Sequence, residues 1–107
     1  MKAYNLEGIE GTLEYGGIVK QALAIGDSAQ MSCGTLTLRP GESMKEFENH
    51  RSDEIFFIAS GELKIEARQG ENVSAHQGQI VHIPKEEWHL SSNPGHADTV
   101  LFWINRD

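Results

Sequence analysis

The sequence predicts an all-β jelly-roll barrel of two antiparallel sheets, and two observations carry that prediction. Nearly every apolar segment is short, alternates with a period of two, and is closed by Gly, Asn, Asp or Pro within about ten residues. No segment sustains the period of an amphipathic helix. Many short strands joined by turns pack as a sandwich or a closed barrel. At 107 residues the chain has material for one hydrophobic core, so residues 1–107 are read as a single domain.

Taken in order, the first dozen residues, with Gly8 and Gly11, read as an arm or edge strand. Strands are expected at 18–25, 31–38 and 44–49. Residues 54–59 are apolar at both parities after Glu54, as in a strand covered on both sides, and Ser60-Gly61 turns the chain into the next strand. In 62–68, Leu63, Ile65 and Ala67 face one way while Glu62, Lys64, Glu66 and Arg68 face the other, the pattern of a sheet with one wet face. Turns at 68–71 and 93–95 separate further strands at 79–84, 88–92 and 99–104. Phe56, Phe57, Phe102 and Trp103 are expected in the core, with one or two of them walling a pocket.

Charge and cysteine content narrow the function classes. The net charge is −7 and the nine basic residues are scattered, so no basic patch for nucleic acid or an anionic membrane is expected. A metal ion or a small neutral or cationic molecule suits this balance better. Cys33 is alone, no leader opens the chain, and no apolar run nears the ~18 residues that span a bilayer, so a cytoplasmic setting is expected. A small barrel with an open sheet edge and a free arm is expected to pair as a homodimer.

Chemistry concentrates in two stretches. Residues 78–93 run Gly78, Pro84, Glu86, His89, Asn93, and resemble the second motif of the cupin family, G-x5-P-x-G-x2-H-x3-N, with Glu86 standing where the family has Gly. Residues 41–61 carry Gly41, Glu54 and Gly61 and resemble the first motif, G-x5-H-x-H-x3,4-E-x6-G, without its histidine pair. The resemblance implies a cupin-type barrel and places His89 inside it as a metal ligand.

Two registers compete at the altered pair. Counting from Gly41 puts Phe47 and Asn49 at the histidine positions, and Phe47 binds no metal. Counting back from Glu54 puts Glu48 and His50 there, at the cost of one extra residue after Gly41. Glu48 and His50 share a strand face, and with Glu54 and His89 they make a nitrogen- and oxygen-rich set suited to divalent Mn, Fe, Ni or Zn. Under this reading the chain acts on a small organic molecule, the resemblance implying dioxygenase, isomerase or decarboxylase-like chemistry, with Glu54 able to serve as general base. Under the other, the chain is a non-catalytic module without a metal, and Phe47, Asn49 and Phe56 line a pocket for a sugar or other small ligand. Trp88, next to His89, points to the opposite face.

Overall fold

The computed structural model describes residues 1–26 and 28–107. Among them are nine strands: β1 (Thr12–Glu14), β2 (Gly17–Leu23), β3 (Ser32–Leu38), β4 (Glu54–Ser60), β5 (Glu62–Ala67), β6 (Val73–His76), β7 (Ile80–Ile83), β8 (His89–Ser92) and β9 (Thr99–Asn105). One sheet has the order β1-β2-β3-β9-β4-β7 and the other β6-β5-β8. Every pairing is antiparallel, so the alternation of apolar residues becomes an inner and an outer face.

The inner faces close on each other. Leu36 and Leu38 of β3, Phe56 and Ile58 of β4, Leu63 and Ile65 of β5, Val81 and Ile83 of β7 and Leu101 of β9 form one buried cluster. Each such side chain contributes about 1.5–3 kcal/mol on leaving water, which makes the contact between the sheets the main source of stability. Gly61 turns β4 into β5 at φ 82°, and the Asp98 carbonyl lies 2.5 Å from where a Cβ would sit. A side chain there would meet both a left-handed backbone and a steric block, which accounts for the glycine at the end of the first motif.

Three expectations are corrected. Residues 44–49 do not form a strand; instead, single bridges Ser43–Ser92 and Glu48–His89 tie this segment to β8. Between those bridges one segment advances five residues and the other three, so Lys45, Glu46 and Phe47 bulge outward and no continuous ladder forms. Residues 73–76, where no strand is expected from the sequence, form the edge strand β6. Finally, β4 is not covered on both sides: Phe57 stands on the outer face between Ile80 and Phe102 of the flanking strands. Phe57 and Phe102 are 41% and 38% exposed, so neither belongs to the core. The apolar outer parity of β4 marks an exposed apolar face rather than a second covering layer.

The arm carries a single 3-10 turn at Leu6–Gly8, and its carbonyl at Leu6 accepts from Lys20 Nζ at 3.0 Å. No helix among the described residues is long and apolar enough to cross a membrane.

Candidate metal centre

Four side chains converge at one end of the core. His89 opens β8 and Glu54 opens β4, and both are buried, at 2% and 4% exposure. Glu48 reaches them because its N–H and carbonyl bond the carbonyl and N–H of His89, at 3.0 and 2.9 Å. The loop after it returns His50 to the same point, its carbonyl accepting from the Glu86 N–H at 2.7 Å. One potential ligand atom from each of Glu48, His50, Glu54 and His89 lies within 4.8 Å of the others.

The atoms surround a point and do not hydrogen-bond one another. His50 Nε2 is 3.4 Å from Glu48 Oε1 and from Glu54 Oε1, while His89 Nε2 is 3.4 Å from Glu54 Oε1 and 3.7 Å from Glu48 Oε1. His50 Nε2, Glu54 Oε1 and His89 Nε2 are buried without any hydrogen-bond partner. A buried polar atom left without a hydrogen bond costs about 1–3 kcal/mol, and a cation among these three would satisfy all of them at once. Ligands bound at about 2.0–2.2 Å to one ion stand roughly 3–4.4 Å apart, so the spacing fits a divalent cation.

The remaining polar atom of each buried group is anchored. His89 Nδ1 is 2.9 Å from the Glu87 carbonyl, His50 Nδ1 is 3.2 Å from Asp107 Oδ2, and Glu54 Oε2 accepts from Asn105 Nδ2 at 2.8 Å. Such partners fix the tautomer of each imidazole and leave Nε2 free to coordinate. Asp107 also accepts the backbone N–H groups of Arg51 and Ser52 and so pins the loop that carries His50.

The metal-free charges follow from this crowding. The adjacent Glu48 and then Glu54 carboxylates push the His50 imidazole up to about 10. Burial favours the neutral form of Glu54, but His50, His89 and Asn105 outweigh it and hold the carboxyl at about 2. Burial likewise opposes charge on His89, yet Glu54 raises its ring above the ordinary value. An imidazolium at His50 therefore faces the ionised Glu54 carboxylate when no metal is bound.

The cluster opens on a cavity of about 220 Å³, walled by Val19, Leu36, Met44, Phe56, Leu101 and Trp103 and carrying Tyr15, Ser91 and Asn105 as polar groups. Tyr15 and Gly16 form the turn between β1 and β2 at φ 56° and 85°, a geometry that favours glycine or asparagine at both positions. The strained turn brings the phenol to the mouth, where burial and then the Glu48, Glu14 and Glu54 carboxylates keep it protonated.

The structure thus brings Glu48, His50, Glu54 and His89 together, with Phe56 in the cavity wall. Phe47 is outside, where Arg68 lies over its ring at 5.4 Å and over the Trp88 ring at 4.6 Å. Asn49 is not among the residues that line the cavity. Sequence reasoning missed Asn105, Asp107 and Tyr15. Asn105 had a usable signal, since it continues the inward parity of Thr99, Leu101 and Trp103.

Comparison with known proteins agrees with this architecture. Residues 34–105 match the Cupin domain family, and the chain belongs to it. A comparison with curated protein sequences finds no match. Among solved structures, a Cupin 2 conserved barrel domain protein from Salinispora arenicola superposes with a TM-score of 0.82 at 19% identity, over 100% of this chain and 89% of the other. A double-stranded β-helix protein from Klebsiella pneumoniae gives 0.79 at 14% identity, over 99% and 90%. A mutant of Bacillus subtilis oxalate decarboxylase gives 0.79 at 23% identity, over 97% of this chain but 29% of its own. At these identities the likeness is one of fold.

Proposed function

We propose that Glu48, His50, Glu54 and His89 hold a divalent transition-metal ion, and that the chain uses it on a small organic molecule in the adjoining cavity. The observation that carries this reading is the set of three buried, partnerless ligand atoms, each with the opposite side of its group already anchored. Two nitrogens and two oxygens, with no sulfur, suit Mn, Fe, Ni or Zn. The ion would supply Lewis acidity toward a substrate oxygen or a redox centre for dioxygen.

The chain's own groups do the rest. Asn105 and Asp107 aim Glu54 and His50, the apolar wall limits water, and the protonated Tyr15 phenol donates from the mouth. A carboxyl held at about 2 is a weak base, so Glu54 is assigned to the ion and not to proton transfer. The metal-free binding module drawn from the other register finds no support, because Phe47 packs on Arg68 outside the cavity.

The test is metal analysis of chelator-treated protein after titration with zinc or manganese. One ion per chain is expected, with loss of binding in His89→Ala. Failure of the wild-type chain to take up any divalent ion would overturn the reading.

We infer in addition that two copies pair through the outer face of the six-stranded sheet. Ile80, Phe57 and Phe102 stand side by side there, at 69%, 41% and 38% exposure. Light scattering should give a dimer that Phe57→Asp dissociates; a monomeric wild-type mass contradicts it.

A further inference from the structure

Resting on the reading that the cluster holds an ion, we propose that the cavity accepts a small neutral or cationic molecule and turns carboxylate substrates away. Its described lining carries four acidic residues, Glu14, Glu48, Glu54 and Asp107, and neither lysine nor arginine. A divalent ion cancels two of those four negative charges, and the imidazoles that coordinate it are neutral. The cavity stays net negative in its loaded form. Glu14 and Asp107 are exposed, so the mouth through which a substrate passes is acidic as well.

A second feature says where such a molecule is held. Ser91 lines the cavity at 1% exposure, and its Oγ has no hydrogen-bond partner among the described residues. The backbone of Ser91 is fully engaged, its N–H with Met44 Sδ at 3.4 Å and its carbonyl with the Met44 N–H at 3.0 Å. The hydroxyl is therefore a free handle on a fixed strand. It lies two residues beyond His89 on the same face of β8, about 7 Å along the strand. A ligand with an oxygen at the ion and a hydroxyl or amine toward Ser91 spans that distance. Met44, Leu36 and Leu101 wall the cavity that such a ligand would fill.

This selectivity sets the chain apart from what its likeness to an oxalate decarboxylase suggests, because that protein's named substrate is a small dianion. Apart from the ion, or the His50 imidazolium when no ion is bound, nothing in the described lining offers an anion a paired cation on leaving water, and the four carboxylates outnumber either.

The experiment uses three probes that chelate divalent ions through paired ring oxygens and differ in charge: catechol, dopamine and protocatechuate. Binding to the zinc-loaded chain is measured by calorimetry at neutral pH, with zinc content determined on the same sample. Catechol and dopamine are expected to bind at least about tenfold more tightly than protocatechuate. Glu14→Gln should narrow that gap, and Ser91→Ala should weaken dopamine more than catechol. Protocatechuate binding as tightly as catechol overturns the proposal, as does absence of binding by both catechol and dopamine. A chain that takes up no zinc overturns the metal reading instead. The charge order is then read on the metal-free protein with benzylamine, benzyl alcohol and benzoate, and equal or tighter binding of benzoate overturns the proposal there too.

Discussion

Two segments meet at the Glu48–His89 bridge, and they are built differently. Residues 78–93 run strand, turn, strand: β7 ends before Pro84, the turn at Lys85 and Glu86 reverses the chain, and β8 begins on His89. The two strands lie in different sheets and the hydrogen-bonded turn between them fixes the crossing, so spacing in sequence converts directly to position in space. Residues 41–53 have no ladder of their own and hang from β8 by two bridges with a bulge between them. There the same count of residues leads to a different place. A rigid frame therefore presents His89, while an adaptable loop, pinned by Asp107 and Glu86, presents Glu48 and His50.

The largest expected effect that breaks this comparison is on the loop side. His50→Ala should lower metal affinity by about a hundredfold or more, whereas Phe47→Ala, next to Glu48 and three residues from His50, should leave it unchanged. Phe47→Ala should cost only about 1 kcal/mol of stability, through loss of the Arg68 stack. Metal competition titrations and urea melts on the two variants give both readings. Equal loss of affinity in the two would mean that the bulge faces the cavity.

A second prediction uses pH. In the metal-free chain His50 lies at about 10 against an ordinary 6.5, so its contribution to stability is complete below about 6.5 and is lost as pH rises through about 10. Glu54 lies at about 2 against 4.5, so its contribution is complete above about 4.5 and is lost as pH falls through about 2. Stability from this cluster should peak between those limits. Metal affinity should run the other way across neutral pH, rising about tenfold per pH unit for each imidazolium proton displaced. Affinity independent of pH between about 6 and 8 would contradict the ligand set.

The smallest effect lies on the frame. Glu86 sits at φ 66° at the third position of the turn closed by the Glu87 N–H on the Pro84 carbonyl, where glycine is the ordinary residue. Glu86→Gly should raise stability by about 1 kcal/mol or less and leave metal binding intact, since its N–H still reaches the His50 carbonyl. Thermal melts of Glu86→Gly and Glu86→Ala check this, and only the glycine should help.

The same contrast explains what could be read from the sequence. The barrel was legible because alternation at 62–68 reflects a regular ladder and the spacing from Gly78 to Asn93 reflects a fixed strand-turn-strand crossing between the sheets. The parity at 47–50 was not, because a bulge adds residues without advancing the strand, and no local pattern marks which residue is extra. Residues 54–59 misled for another reason: an apolar outer face looks the same in sequence whether this chain covers it or a partner does. Asn105 and Asp107 reach the cluster across more than fifty residues of sequence and left no local trace beyond the parity of β9.

The most direct test of the account is X-ray absorption spectroscopy of the metal-loaded chain, which counts imidazoles and identifies ligand atoms around the ion. The account predicts a shell of nitrogen and oxygen with two imidazoles, falling to one in His50→Ala. A single imidazole in the wild-type chain, or a shell that His50→Ala leaves unchanged, would contradict it.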